Sequence, residues 1–163
     1  MEEKKEYGAE DFLRSVKEAR IEKRRCEFRL EELRSQCERM TTAYGPSAGG
    51  GGELHKDALL IAAAEQTEAL RDKVIAYIRR IAVVEDFIAA LPDVRQRTIL
   101  RLRYIDVLGW NSVREGLQEY GLYYEDRQMF RLHGAALAEA RKRFPSYAEE
   151  HPGIIPNEEA KAV

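Results

Sequence analysis

Residues 97–134 read RTILRLRYIDVLGWNSVREGLQEYGLYYEDRQMFRLHG, and the punctuation of that stretch decides the fold. A helical run from about Asp93 to Asp106, with Val94, Thr98 or Ile99, Leu102 and Ile105 available for the core, is broken by Val107-Leu108-Gly109. A second, shorter run carries Val113, Leu117 and Tyr120 and closes at Gly121, where a helix C-cap glycine belongs. Asn111 or Ser112 is its expected N-cap, and Trp110 its expected core anchor. A long aromatic turn, Leu122-Tyr123-Tyr124, leads to a third run that begins at Glu125 or Asp126, where acidic side chains suit the helix dipole. Helix, short helix, turn, helix is the order of a helix-turn-helix DNA reader.

The third helix is expected to end at Phe144, before Pro145. Residues placed 100° apart put Met129, Leu132, His133, Ala136, Leu137 and Ala140 on one side, so His133 reads as a structural histidine. The other side carries Arg127, Arg131, Gly134, Ala135 and Ala138, with Gln128 at its edge. Two arginines one turn apart, followed by residues with almost no side chain, let a helix approach a surface closely while guanidinium groups reach base edges or phosphates. The plainer alternative is that Arg127 and Arg131 pair with Glu125 or with solvent. Local charge favours an anionic partner: residues 93–144 hold ten basic and seven acidic side chains, although the whole chain is -2. Residues expected to contact DNA are Arg127, Gln128, Arg131, Tyr124, Arg103 and Arg141. Tyr123 and Tyr124 either pack the turn or touch phosphates through their hydroxyls.

Upstream of this stretch lie two long heptad seams. Phe12, Val16, Ala19, Lys23, Cys26, Leu30, Leu33, Cys37 and Met40 follow steps of four and three with one polar member, Lys23. After GPSAGGGG at 45–52, a connector without helix propensity, Leu60, Ala63, Thr67, Leu70, Val74, Tyr77, Ile81, Val84, Ile88 and Leu91 resume it. Matching seams joined by a flexible loop imply an antiparallel helical hairpin. Its core is thin, so dimerisation or packing on the C-terminal domain is expected, with a homodimer or small homo-oligomer as the assembly. Leu91-Pro92-Asp93 marks a boundary. The expected fold is all-α: a coiled-coil hairpin over 1–91, a tri-helical helix-turn-helix domain over 92–144, and a flexible tail over 145–163 that contains Pro145, Pro152, Gly153 and Pro156.

Enzyme chemistry finds little support. GPSAGGGG lacks the GK[ST] of a phosphate loop. His55, His133 and His151 show no ligand spacing with each other or with Cys26 and Cys37, so neither metal nor cofactor is expected. The two cysteines read as small buried hydrophobes. No run approaches 18 apolar residues, which gives the expectation of a cytoplasmic protein of a bacterial host with no membrane partner.

The runs Arg97-Thr98-Ile99-Leu100-Arg101-Leu102-Arg103-Tyr104-Ile105 and Arg127-Gln128-Met129-Phe130-Arg131-Leu132-His133-Gly134, with Trp110 and Val113 between, resemble the sigma-70 region 4-like domain of small phage and prophage proteins of the ArpU/RinA type. The long helical first half with a Gly/Ser-rich break resembles that family too, so the likeness covers most of residues 10–144. It implies a wingless trihelical reader with the helix around Arg127–Leu137 in the major groove, transcriptional control of late genes, double-stranded DNA as partner, and contact with RNA polymerase. Two other readings remain open from sequence: a module that binds polymerase or a regulator without DNA, and a small-terminase-like packaging adaptor.

Overall fold

The computed structural model describes residues 6–43 and 52–156, and every regular element among them is helical. Helix α1 spans Ala9–Ala43 and α2 spans Gly52–Ala89. Helix α3, Val94–Leu100, runs on into a π-helical turn, Arg101–Ile105. Helix α4 is Trp110–Glu119 and α5 is Asp126–Glu150. Except for Gly52, which opens α2, the Gly-rich connector lies outside the described residues. So does the end of the expected tail, from residue 157 onward.

The two seams do what their spacing predicts. Helices α1 and α2 pack together. Phe12 meets Phe87 with ring centroids 5.5 Å apart, and Tyr77 lies near Cys26 and Glu22, so numbers rise along one helix as they fall along the other: the pair is antiparallel. Every seam position is buried or half-buried. The polar member Lys23 is resolved by its ammonium, which donates to Glu27 at 2.6 Å one turn on.

The chain divides into two compact units, and the division does not fall at Pro92 as expected. One unit is the middle of the hairpin, Arg20–Arg79; the other joins the start of α1 to everything from Arg80 onward. In this second unit the ends of the hairpin and the tri-helical segment share one hydrophobic core, from Phe12, Leu13, Val16, Val84, Phe87 and Leu91 to Ile99, Leu100, Ile105, Val113, Leu117, Met129 and Phe144. The physical reason is size. Two short helices and one face of α5 cannot enclose Leu100 and Phe144 by themselves, and the hairpin ends supply the missing layer.

The end of α5 is a second correction. The helix passes through Pro145 to Glu150, and residues 151–156 fold back so that Ile154 is buried and its carbonyl accepts from Arg80 at 2.5 Å. The expectation of a flexible tail from Pro145 thus does not hold for residues 145–156. A proline inside a helix removes one hydrogen bond and costs about 3 kcal/mol. Here the last turns are held by aromatic packing. Phe144 lies 5.3 Å from Phe12 and 6.2 Å from Phe87, Tyr147 lies 5.0 Å from Phe87, and the Tyr147 hydroxyl donates to the Val83 carbonyl.

Local chemistry sets the remaining breaks. Asp93 caps α3 by accepting from the Arg95 N–H at 2.8 Å. After the π turn, Val107 adopts φ 57°, a left-handed conformation that a β-branched residue resists. Helix α4 is then capped by Gly109, two or three residues before the expected Asn111 or Ser112. At its far end the Gly121 N–H donates to Gln118 and the Leu122 N–H to Leu117, a Schellman closure that needs the φ of 75° at Gly121. A Cβ at Gly116 would come within 2.9 Å of Leu102, so that glycine sets how closely α4 packs on the π turn.

Two stability predictions follow from these contacts. Phe87→Ala empties the centre of the shared core and lowers unfolding free energy by about 3–5 kcal/mol. Amide exchange then accelerates in the C-terminal half of α5 as well as in α2, which a core confined to residues 92–144 would not show. Val107→Asn relieves left-handed strain and raises stability by about 1 kcal/mol, read as an upward shift of the denaturation midpoint.

Candidate nucleic-acid interface

The short helix α4 and the long helix α5 are joined through Trp110. Its ring meets Phe130 edge-on at 4.9 Å and His133 at 4.8 Å, while the Arg103 guanidinium lies 4.7 Å above it. Arg103 also donates to the Leu108 carbonyl at 2.7 Å, closing the loop that follows the π turn. Tyr104, from the same turn, shares a hydrogen bond between its hydroxyl and His133 Nε2 at 3.2 Å and stacks on that ring. Burial holds the His133 pKa below its ordinary value, Arg103 pushes the same way, and Glu10 opposes them. Burial thus favours the neutral imidazole, in keeping with the structural role its position on the helix predicts.

The entry to α5 is pinned by a capping box. Gln128 Oε1 accepts from the Glu125 N–H at 3.1 Å while the Glu125 side chain accepts from the third helical N–H. Asp126 pairs with Arg114 of α4 at 2.9 Å. Both acidic groups at the helix start are thus engaged, which reduces the negative field they would present to an anion.

Beyond this entry the outer side of α5 lies open. Arg127, Arg131, Gly134, Ala135 and Ala138 are all exposed, and a Cβ on Gly134 would meet nothing within 4 Å. The opposite side, Met129, Leu132, His133, Ala136, Leu137 and Ala140, is buried or half-buried, as the 100° projection predicts.

The arginines of residues 93–144 separate into two groups. Seven of the nine are committed within the chain: Arg95 to Asp93, Arg97 to the Leu91 and Pro92 carbonyls, Arg101 to Glu85, Arg103 to Leu108 and Trp110, Arg114 to Asp126, Arg141 to Glu10, and Arg143 to Glu139. Of these nine, Arg127 and Arg131 alone have no ion pair or hydrogen bond to another described residue.

Of the six residues expected to contact DNA, the structure brings Arg127 and Arg131 together on the open face. Gln128, exposed beside them, is held by the capping box. Tyr124 is half-buried against the core with its hydroxyl beside the Arg95 guanidinium, so it packs the turn, whereas Tyr123 is 76% exposed. Arg103 sits on the inner side against Trp110, and Arg141 is tied to the start of α1. The sequence showed no sign of Tyr123 as the freer of the two tyrosines; the Schellman turn at Gly121 sets which one points outward.

Among the described residues no group of His, Cys, Asp and Glu could hold a metal ion, and no helix is long and apolar enough to cross a membrane. No protein-family model, curated protein or solved structure matches the chain.

The depressed His133 pKa fixes the sign of a pH effect. The unfolded chain binds the proton more readily than the folded one, so the histidine's contribution is fully present above its unfolded pKa of about 6.5 and is lost as pH falls below it. Denaturation midpoints of the wild type are expected to fall between pH 7.5 and 5.5 more steeply than those of His133→Gln. Parallel curves for the two proteins would refute the assignment.

Proposed function

We propose that the chain is a sequence-specific DNA-binding transcription regulator of the sigma region 4-like, phage late-gene type, with α5 as the helix that enters the major groove. One observation carries this reading: in residues 93–144, where seven of nine arginines are internally paired, the two left free sit one turn apart at the N-terminal end of a helix whose exposed side is otherwise Gly134, Ala135 and Ala138. Guanidinium groups in such a place supply bidentate donors to guanine or phosphate, and the bare side lets the backbone come close to a groove wall. The order of α3, α4 and α5 supports the same reading, since a short helix crossing ahead of an exposed one is the docking arrangement of helix-turn-helix readers.

One feature favours a protein partner, the polymerase contact that the family resemblance implies. A cleft of about 240 Å³ between the end of α2 and α3 has Val94 and Tyr120, 61% and 64% exposed, with Arg97 and Arg101 at its edge. Apolar side chains rimmed by charge suit a protein surface better than a nucleic acid. In a sigma-like regulator both surfaces act together.

Fluorescence anisotropy with the gene's own upstream DNA and a scrambled duplex, at two salt concentrations, tests the reading. Preference for its own DNA is expected, and Arg131→Glu is expected to remove about 1–3 kcal/mol of it. Arg103→Gln should lower stability with far less effect on sequence preference. Weak binding equal on both duplexes and abolished by salt would mean phosphate attraction alone and would reject a sequence reader. Absence of binding on either duplex would favour the protein-interaction module.

A further inference from the structure

The outer side of α2 carries a second periodic stripe that the hairpin does not use. Ile61, Ala64, Glu68, Arg71, Ile75 and Ile78 follow steps of three and four, one residue out of phase with the inner seam. All six are exposed, the three isoleucines by 61%, 45% and 48%. Large β-branched side chains at heptad spacing are the ordinary makings of a helix-helix contact, and here they face water. Glu68 and Arg71 have no hydrogen bond or ion pair among the described residues, in contrast to α1, whose outer charges close on one another as Glu22–Arg25, Arg29–Glu32 and Arg34–Glu38.

The order of the stripe is self-complementary. About a two-fold axis midway between Glu68 and Arg71, with two copies of α2 running antiparallel, Ile61 of one faces Ile78 of the other. Ala64 faces Ile75, small against large, and Glu68 faces Arg71. Each pairing recurs by symmetry, so all six positions meet the requirement of an isologous contact that each residue's partner be reciprocated. Parallel pairing in register would instead set Glu68 on Glu68 and Arg71 on Arg71, like charge on like.

We infer that this face of α2 docks on the same face of a second copy of the chain, antiparallel, with two reciprocal Glu68–Arg71 pairs at its centre. The charge pairs set direction and register, and the isoleucines supply the apolar area. Because the surface belongs to the middle of the hairpin, the inference stands independently of what α5 binds.

Sedimentation equilibrium of the full chain, without DNA, tests it. The wild type is expected to sediment as a dimer of the 18.8 kDa chain. Arg71→Glu and Glu68→Arg each place like charges at the axis and should weaken association about tenfold or more. The double exchange Glu68→Arg/Arg71→Glu should restore it, and Ile75→Asp should abolish it. Since all these positions are exposed, helix content by circular dichroism should stay unchanged. A monomeric wild type would overturn the inference. A dimer indifferent to the single variants would also overturn it, as would single variants that weaken the dimer without rescue by the exchange.

Discussion

The contact of Phe12, Phe87, Phe144 and Tyr147 is the interaction on which the unit that holds α5 depends. These rings come from the start of α1, the end of α2 and the C-terminal half of α5, and they close at centroid distances of 5.0–6.2 Å. Aromatic pairs at such separations add about 0.5–1.5 kcal/mol each to what burial provides. The cluster is what carries α5 through Pro145 and keeps its last turns helical. Because α5 is one 25-residue helix, anchoring its far end also orients its near end, where Arg127 and Arg131 project. A contact surface is most exact when it is part of a rigid element held elsewhere.

Cations on this unit serve two purposes. Arg103 stacks on Trp110 and closes the loop after the π turn; Arg114 neutralises Asp126 at the mouth of α5; Arg141 ties α5 to α1. Exposed ion pairs of this kind contribute little stability individually, about 0–1 kcal/mol. Arg114 has an electrostatic effect as well, since its pair takes up the Asp126 carboxylate charge one residue from Arg127.

Much of this was legible in the sequence where a period or a cap carried the signal. Both heptad seams, the three closing helices, the start of α5 at Glu125–Asp126, the Gly121 closure and the two faces of α5 follow from spacing and turn chemistry. What the sequence hid was long-range. Pro145 is a strong local stop, and nothing near it reveals that Phe144 and Tyr147 will find Phe12 and Phe87. The compact units do not divide at Pro92 for the same reason, since Ile88 and Leu91 before it and Ile99 and Leu100 after it belong to a single core. Arg103 and Arg141 looked no different from Arg127 and Arg131, because their partners, Trp110 and Glu10, are fixed only by the packed structure. The π turn and the left-handed Val107 have no signature in residue type; indeed valine is among the last residues one would place there.

The most direct measurement is a backbone amide chemical-shift titration of the full chain with duplex DNA from its own upstream region, at physiological salt. Perturbations concentrated over residues 123–138, with the Arg127 and Arg131 side-chain Nε–H signals shifting in step, are the expected result. Perturbations scattered over the surface, confined to the cleft beside Val94 and Tyr120, or absent altogether would contradict the assignment of α5 as a DNA-reading helix.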